Sequence, residues 1–130
     1  MFDAIWASYK QYLWTGHKEW IEEEDLFEYY TNTVTDYLAR HDNAIPNNGI
    51  ADAPDVDGWE NTCIYNETSE DHFRETKDGV GMQYQGFRSY AEVLKPRGVV
   101  DGYNTWIAKA HDIFDMFRTD FWEGSTYYRG

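Results

Sequence analysis

Apolar residues at the start of the chain recur at helical spacing. Phe2, Ile5, Trp6, Tyr9, Tyr12 and Leu13 fall at i, i+3, i+4 and i+7 intervals, which draws one stripe on a 3.6-residue wheel. Thr15-Gly16 supplies the break that ends this helix, and Trp14 points away from its stripe. A second periodic run joins Leu26, Phe27, Tyr30, Val34, Tyr37, Leu38 and His41. It predicts a helix beginning within residues 22–25, where acids suit the positive end of the helix dipole. Asp25, Glu28, Asn32 and Asp36 fall on the opposite side and form an outward acidic row, extended by Glu22 and Glu24. Arg40 is a last-turn cation.

The strongest periodicity belongs to Trp106, Ile107, Ala110, Ile113, Phe114, Phe117 and Phe121. It predicts a helix from residue 104 to about 123, ended by Gly124. Between the second and last helices the pattern changes. Residues 43–58 combine Pro, Gly, Asn and Asp in a long loop. Thr62-Cys63-Ile64-Tyr65 reads as a strand, and Val80, Met82 and Tyr84 alternate with Gly81 and Gln83 at period 2. Residues 69–77 fit a short helix, and Phe87, Tyr90, Ala91 and Leu94 another, stopped by Pro96. Residues 98–102 fit a turn or brief edge strand. The expected fold is a single α+β domain over residues 1–130, about three main helices packed around a small antiparallel sheet.

Charge sharpens this picture. Residues 19–71 hold fifteen acids and one base, Arg40, a net charge of −14 that accounts for the whole formal excess of −13. The near-neutral half, residues 72–130, has no comparable run. So concentrated a negative field repels nucleic acid and anionic membrane and attracts basic surfaces. Aromatic residues make up 18% of the chain, 6 Trp, 11 Tyr and 7 Phe, which excludes a disordered acidic tail. The off-stripe Trp14 and Trp122, and Trp20 and Trp59 beside the acidic elements, are candidates for exposed contact residues.

Catalytic and metal-binding patterns are weak. Aligning Gly58 with the invariant glycine of a calcium-binding EF-hand loop puts Ala53 and Ile64 where a ligating aspartate and glutamate are required. A looser calcium site would have to use Asp52, Asp55, Asp57 and Glu60. His111 and Asp115 share a helix face, an arrangement met far more often in a surface contact than in a metal site. Cys63, the one cysteine, lies in an apolar run that suits an inert buried thiol, and it can form no intrachain disulfide. Gly79-Val80-Gly81 lacks the lysine of a phosphate loop. The sequence therefore implies no enzyme, no cofactor and no metal.

The start of the chain lacks a basic, long apolar leader, and no stretch approaches the ~18 apolar residues that span a bilayer. The expected location is the cytoplasm, that of a host cell if the gene is phage-borne. The expected function is non-enzymatic inhibition, in which Glu22, Glu24, Asp25, Glu28, Asp36, Asp52, Asp55 and Asp57 meet the basic nucleic-acid-binding surface of another protein, with Trp20 and Trp59 as desolvated anchors. Carboxylates one helical turn apart, about 5–6 Å, come close to the spacing of phosphates along a strand. By charge and size alone the chain is comparable with phage-encoded inhibitors of restriction or CRISPR systems, an analogy of function. Two other classes fit the composition: a virion assembly protein or oligomeric adaptor, in which off-stripe aromatics make subunit contacts, and a calcium- or carbohydrate-binding module.

Overall fold

The computed structural model describes residues 1–42, 48–51, 77–122 and 124. Helix α1 spans Phe2–Thr15, and a one-turn helix α2 spans Glu19–Glu22. Helix α3, Glu24–Asn32, runs on through a π-helical turn, Thr33–Tyr37, into α4, Leu38–His41. Two long helices follow, α5 over Lys77–Leu94 and α6 over Val100–Asp120. Among the described residues there is no strand and the elements are all helical, so the expected α+β fold with an antiparallel sheet is corrected to a helical one.

The correction falls on Val80, Met82 and Tyr84, which lie in the first half of α5. Their period-2 spacing hides a helical one, because Val80 and Tyr84 are also i and i+4 and continue to Phe87 and Ala91. Burial follows the helix: Val80, Gln83, Gly86, Phe87, Tyr90 and Ala91 are buried, whereas Met82 is only half-buried. Residues 98–102 form no edge strand either. Gly98 adopts φ 73° in the turn after α5, and Val100 opens α6. The proposed strand at 62–65, residues 69–76 of the short helix expected at 69–77 and most of the loop at 43–58 lie outside the described residues, while Lys77 opens α5.

Helix α5 is the centre of the fold, packed most extensively on α6 and then on α1. A series of aromatic contacts crosses this centre. Phe2 meets Phe87 edge-on at 5.8 Å, Phe87 meets Trp106 at 4.9 Å, Trp106 meets Tyr90 at 5.4 Å, and Tyr90 stacks on Phe27 at 6.1 Å. Much of the aromatic surplus is therefore core, where edge-to-face pairs add to the area they bury. The last helix keeps the expected face, with Ala110, Ile113 and Phe121 buried, but Phe114 stands partly exposed beside Tyr84. At the end of α1, Gly16 takes the left-handed conformation (φ 71°) and its N–H bonds the Tyr12 carbonyl, the closure expected there.

Gly86 lets α1 approach α5. A Cβ at this position would sit 2.8 Å from the Cβ of Phe2 and 3.2 Å from its Cα. Gly86→Val is therefore expected to destabilise the fold by about 2 kcal/mol, since overpacking outweighs the gain in helix propensity. Urea denaturation should show the midpoint falling at unchanged slope.

Segment 48–51 is held against α5 by one polar side chain. Gln83 accepts from the Ala51 N–H at 2.8 Å and donates through Nε2 to the Gly49 carbonyl, while Ile50 between them is buried. Asp42 Oδ2 accepts from the Gly49 N–H at 2.9 Å. A buried amide satisfying both a carbonyl and an N–H replaces the pairing that a strand would have supplied.

Candidate partner-binding surface

The acidic elements α2 and α3 meet at a sharp corner built by capping. Glu23 has an extended backbone (φ −67°, ψ 130°) and its carboxylate accepts from the Leu26 N–H at 2.8 Å, so it is the N-cap of α3. A carboxylate here serves both an orphan donor and the positive helix end. The predicted start within residues 22–25 is where this helix begins. Tyr30 is buried, and its hydroxyl donates to the Trp20 carbonyl at 3.0 Å, which ties α3 back to α2. Burial pushes the hydroxyls of Tyr30 and Tyr37 above the ordinary tyrosine range.

The corner is clamped from across the fold by Arg97, in the turn between α5 and α6. Its guanidinium donates to the carbonyls of Ile21 (3.3 Å) and Glu22 (2.8 Å) and to Glu24 Oε1 (3.0 Å). The same group lies 3.8 Å from the ring centroid of Phe27. Arg97 therefore satisfies C-terminal carbonyls of α2 that no intrahelical donor reaches. Nothing in local periodicity marks this residue, because its partners lie some 75 positions away.

Beyond the corner, α3 presents its carboxylates outward. Glu22, Glu24, Asp25, Glu28 and Asp36 are all exposed. Among the described residues, Glu22 pairs with Lys18 at 3.7 Å and Glu24 with Arg97 at 3.0 Å, while Asp25 and Glu28 form no ion pair. Trp20, at 36% exposure, lies within α2 rather than outside a helix. Asp52, Asp55, Asp57 and Trp59 lie outside the described residues.

The π-helical turn changes the geometry of the acidic row. Thr31, Thr33 and Thr35 each donate to the carbonyl four residues earlier, at 2.8–2.9 Å. Such back-bonding disturbs a regular helix. Bonding from i to i+5 needs more residues per turn, so consecutive Thr33 and Val34 both reach the core. A wheel drawn at 100° overstates the rotation there.

One exposed residue in this row carries no charge and escaped the sequence reading. Tyr29 is 37% exposed, one turn after Asp25 and next to Glu28, and its only ring neighbour among the described residues is Tyr30, edge-on at 6.0 Å. It had been hidden by the apolar stripe of Tyr30 beside it. Elsewhere, Leu13 and Trp14 at the end of α1 are 52% and 78% exposed, and Trp122 is 44% exposed. Leu13 thus leaves the stripe its spacing suggested, because α1 outruns the helix that covers it.

A shallow, open hollow lies at the turn between α1 and α2, lined by Gly16, His17, Lys18, Glu19, Glu22 and Glu23. Among the described residues, no three His, Cys, Asp or Glu side chains converge in a way that could hold a metal ion. No described helix is long and apolar enough to cross a membrane. No family model matches the chain, and neither a curated protein nor a solved structure is significantly similar to it.

Proposed function

We propose that this protein binds and blocks a basic surface on another macromolecule, the nucleic-acid-binding groove of a DNA- or RNA-handling protein. The observation that carries this reading is the outer side of α3. Asp25 and Glu28 stand exposed and, among the described residues, without an ion pair, on a helix whose other side is fixed to the core by Tyr30 and, in the π turn that follows, by Val34. A rigid row of carboxylates needs no reordering to meet Arg and Lys, which lowers the entropic cost of association. Exposed rings at Trp20 and Tyr29 supply the apolar contacts from which interface hot spots are made.

Affinity capture from a bacterial lysate, washed at low and then at high salt, tests the proposal. Nucleic-acid-binding proteins should be retained at low salt and released by high salt, as attraction between charged faces is screened. Retention of no such protein would count against it. A second reading, subunit assembly, is favoured by Leu13 and Trp14, two large apolar side chains exposed side by side at the end of α1. Light scattering at increasing concentration separates the two, because assembly through these residues requires a stable homo-oligomer that Trp14→Ser dissolves.

A further inference from the structure

We propose that a hollow between α1 and α5 is a binding site for a small phosphate group, held by Lys10, Arg88 and the hydroxyl of Ser89. The site lies outside the acidic stretch 19–71 and does not depend on the partner-binding reading. The hollow measures about 250 Å³, and its lining includes Trp6, Tyr9 and Lys10 of α1 and Arg88, Ser89 and Glu92 of α5. Room for about eight water-sized groups suits phosphate or a small phosphate ester, and is too little for a drug-sized molecule.

Ser89 is the residue that calls for a ligand. It is only 4% exposed, yet its hydroxyl makes no hydrogen bond among the described residues. Thr31, Thr33, Thr105 and Thr119 show the usual alternative, a bond back to the carbonyl four residues earlier. A hydroxyl withdrawn from bulk water without a protein partner is costly, and a polar group in the hollow that it lines would satisfy it.

The two cations give the sign of that group. Lys10 is half-buried and, among the described residues, makes no ion pair, hydrogen bond or ring contact, in a chain with 24 acids and 11 bases. Arg88 and Glu92 stand one helical turn apart, the spacing at which opposite charges pair. Glu92 instead faces Lys95 at 3.5 Å and accepts from the Tyr103 hydroxyl at 3.4 Å. Arg88 donates through Nη1 to the Tyr84 hydroxyl at 3.3 Å, which leaves its other N–H groups for a ligand. Glu92 is the one acid in the lining, and Lys95 and Tyr103 offset it. Burial, reinforced by Glu92 and opposed in smaller measure by Arg88, pushes the Tyr9 hydroxyl above the ordinary tyrosine range. Tyr9 is therefore a neutral donor at physiological pH. Donors of four kinds on two helices suit a group with three acceptor oxygens better than a carboxylate with two.

Proton–nitrogen NMR of the full chain tests the site, with inorganic phosphate titrated against sodium chloride of equal ionic strength. The Trp6 indole N–H and the backbone amides of Lys10 and Ser89 should shift saturably, half-saturating at about 1 mM. Lys10→Gln combined with Arg88→Gln alters two side chains outside the core and should weaken binding at least ~10-fold. Ser89→Ala removes a hydroxyl without a protein partner, so it should weaken binding roughly threefold to tenfold and leave the melting temperature unchanged or raised. Acetate should bind at least ~5-fold less tightly than phosphate. Phenyl phosphate separates two sources of the group: tighter binding than inorganic phosphate supports a small ester whose ring meets Trp6, and equal or weaker binding supports the free ion. Shifts no larger than those with chloride, affinity unchanged in either variant, or acetate bound as tightly as phosphate would overturn the proposal.

Discussion

Reversing Asp25, Glu28 and Asp36 together to lysine should abolish partner binding, a loss of at least ~100-fold, and leave the protein folded. The three carboxylates are exposed, and Asp25 and Glu28 have no ion pair among the described residues to lose. Asp36 is exposed as well and lies within the π turn that continues α3. The main structural cost falls on Asp25, which occupies the first turn of α3, where a positive charge opposes the helix dipole by about 0.3–1 kcal/mol, and Asp36 gives up only a long contact with the Thr35 hydroxyl at 3.4 Å. The matched control reverses Asp101, Asp112 and Asp115, three exposed acids of α6, one of them also in a first turn. Both triple variants change the net charge equally. Binding lost in the first and kept in the second places the interaction on α3, whereas equal loss in both would mean that only net charge matters.

Removing Arg97 should cost more stability than any of these surface changes. Arg97→Ala deletes donors to the carbonyls of Ile21 and Glu22 and a ring contact with Phe27, from a side chain that is only 17% exposed. Hydrogen bonds from a charged donor are each worth about 1.5–3 kcal/mol and are not additive, so a total of about 2–3 kcal/mol is expected. Its pairing with Glu24 contributes little to that figure, because Glu24 is 80% exposed. Thermal unfolding should show a melting temperature lower by roughly 10 °C. Arg97→Lys should recover only a small part, since an ammonium cannot reach two carbonyls and stack on a ring together. Full recovery by lysine would show that charge alone holds the corner. Binding should fall along with stability, because Arg97 sets the angle at which α2 and α3 present their carboxylates.

How much of this was legible in the sequence depended on the range of the interactions. Features settled within a few residues came through: the glycine closure at Gly16, the acidic start of α3, the stop before Pro96 and the apolar faces of three helices. Over Val80–Tyr84 two periods coincide, and the alternation with Gly81 and Gln83 reads as a strand. The decision is made by tertiary contact, since Gly86 is where Phe2 of α1 must pass. Polar groups that bridge distant segments left no local mark. Gln83 is selected by the carbonyl and N–H of segment 48–51, and Arg97 by the carbonyls of α2. Of the candidate site, the acidic face of α3 could be read from its wheel, whereas Tyr29 could not. Exposure of one of two adjacent tyrosines is fixed by which of them reaches the Trp20 carbonyl.

Competition on immobilised DNA tests the central claim most directly. A bacterial lysate is bound to the column and washed, and the purified protein is then applied at micromolar concentration and low salt. The account expects a defined set of nucleic-acid-binding proteins to leave the column with it, and none to leave with the Asp25, Glu28 and Asp36 charge-reversed variant. A column whose DNA-bound proteins stay in place with the unaltered protein, yet elute normally with salt, would contradict it.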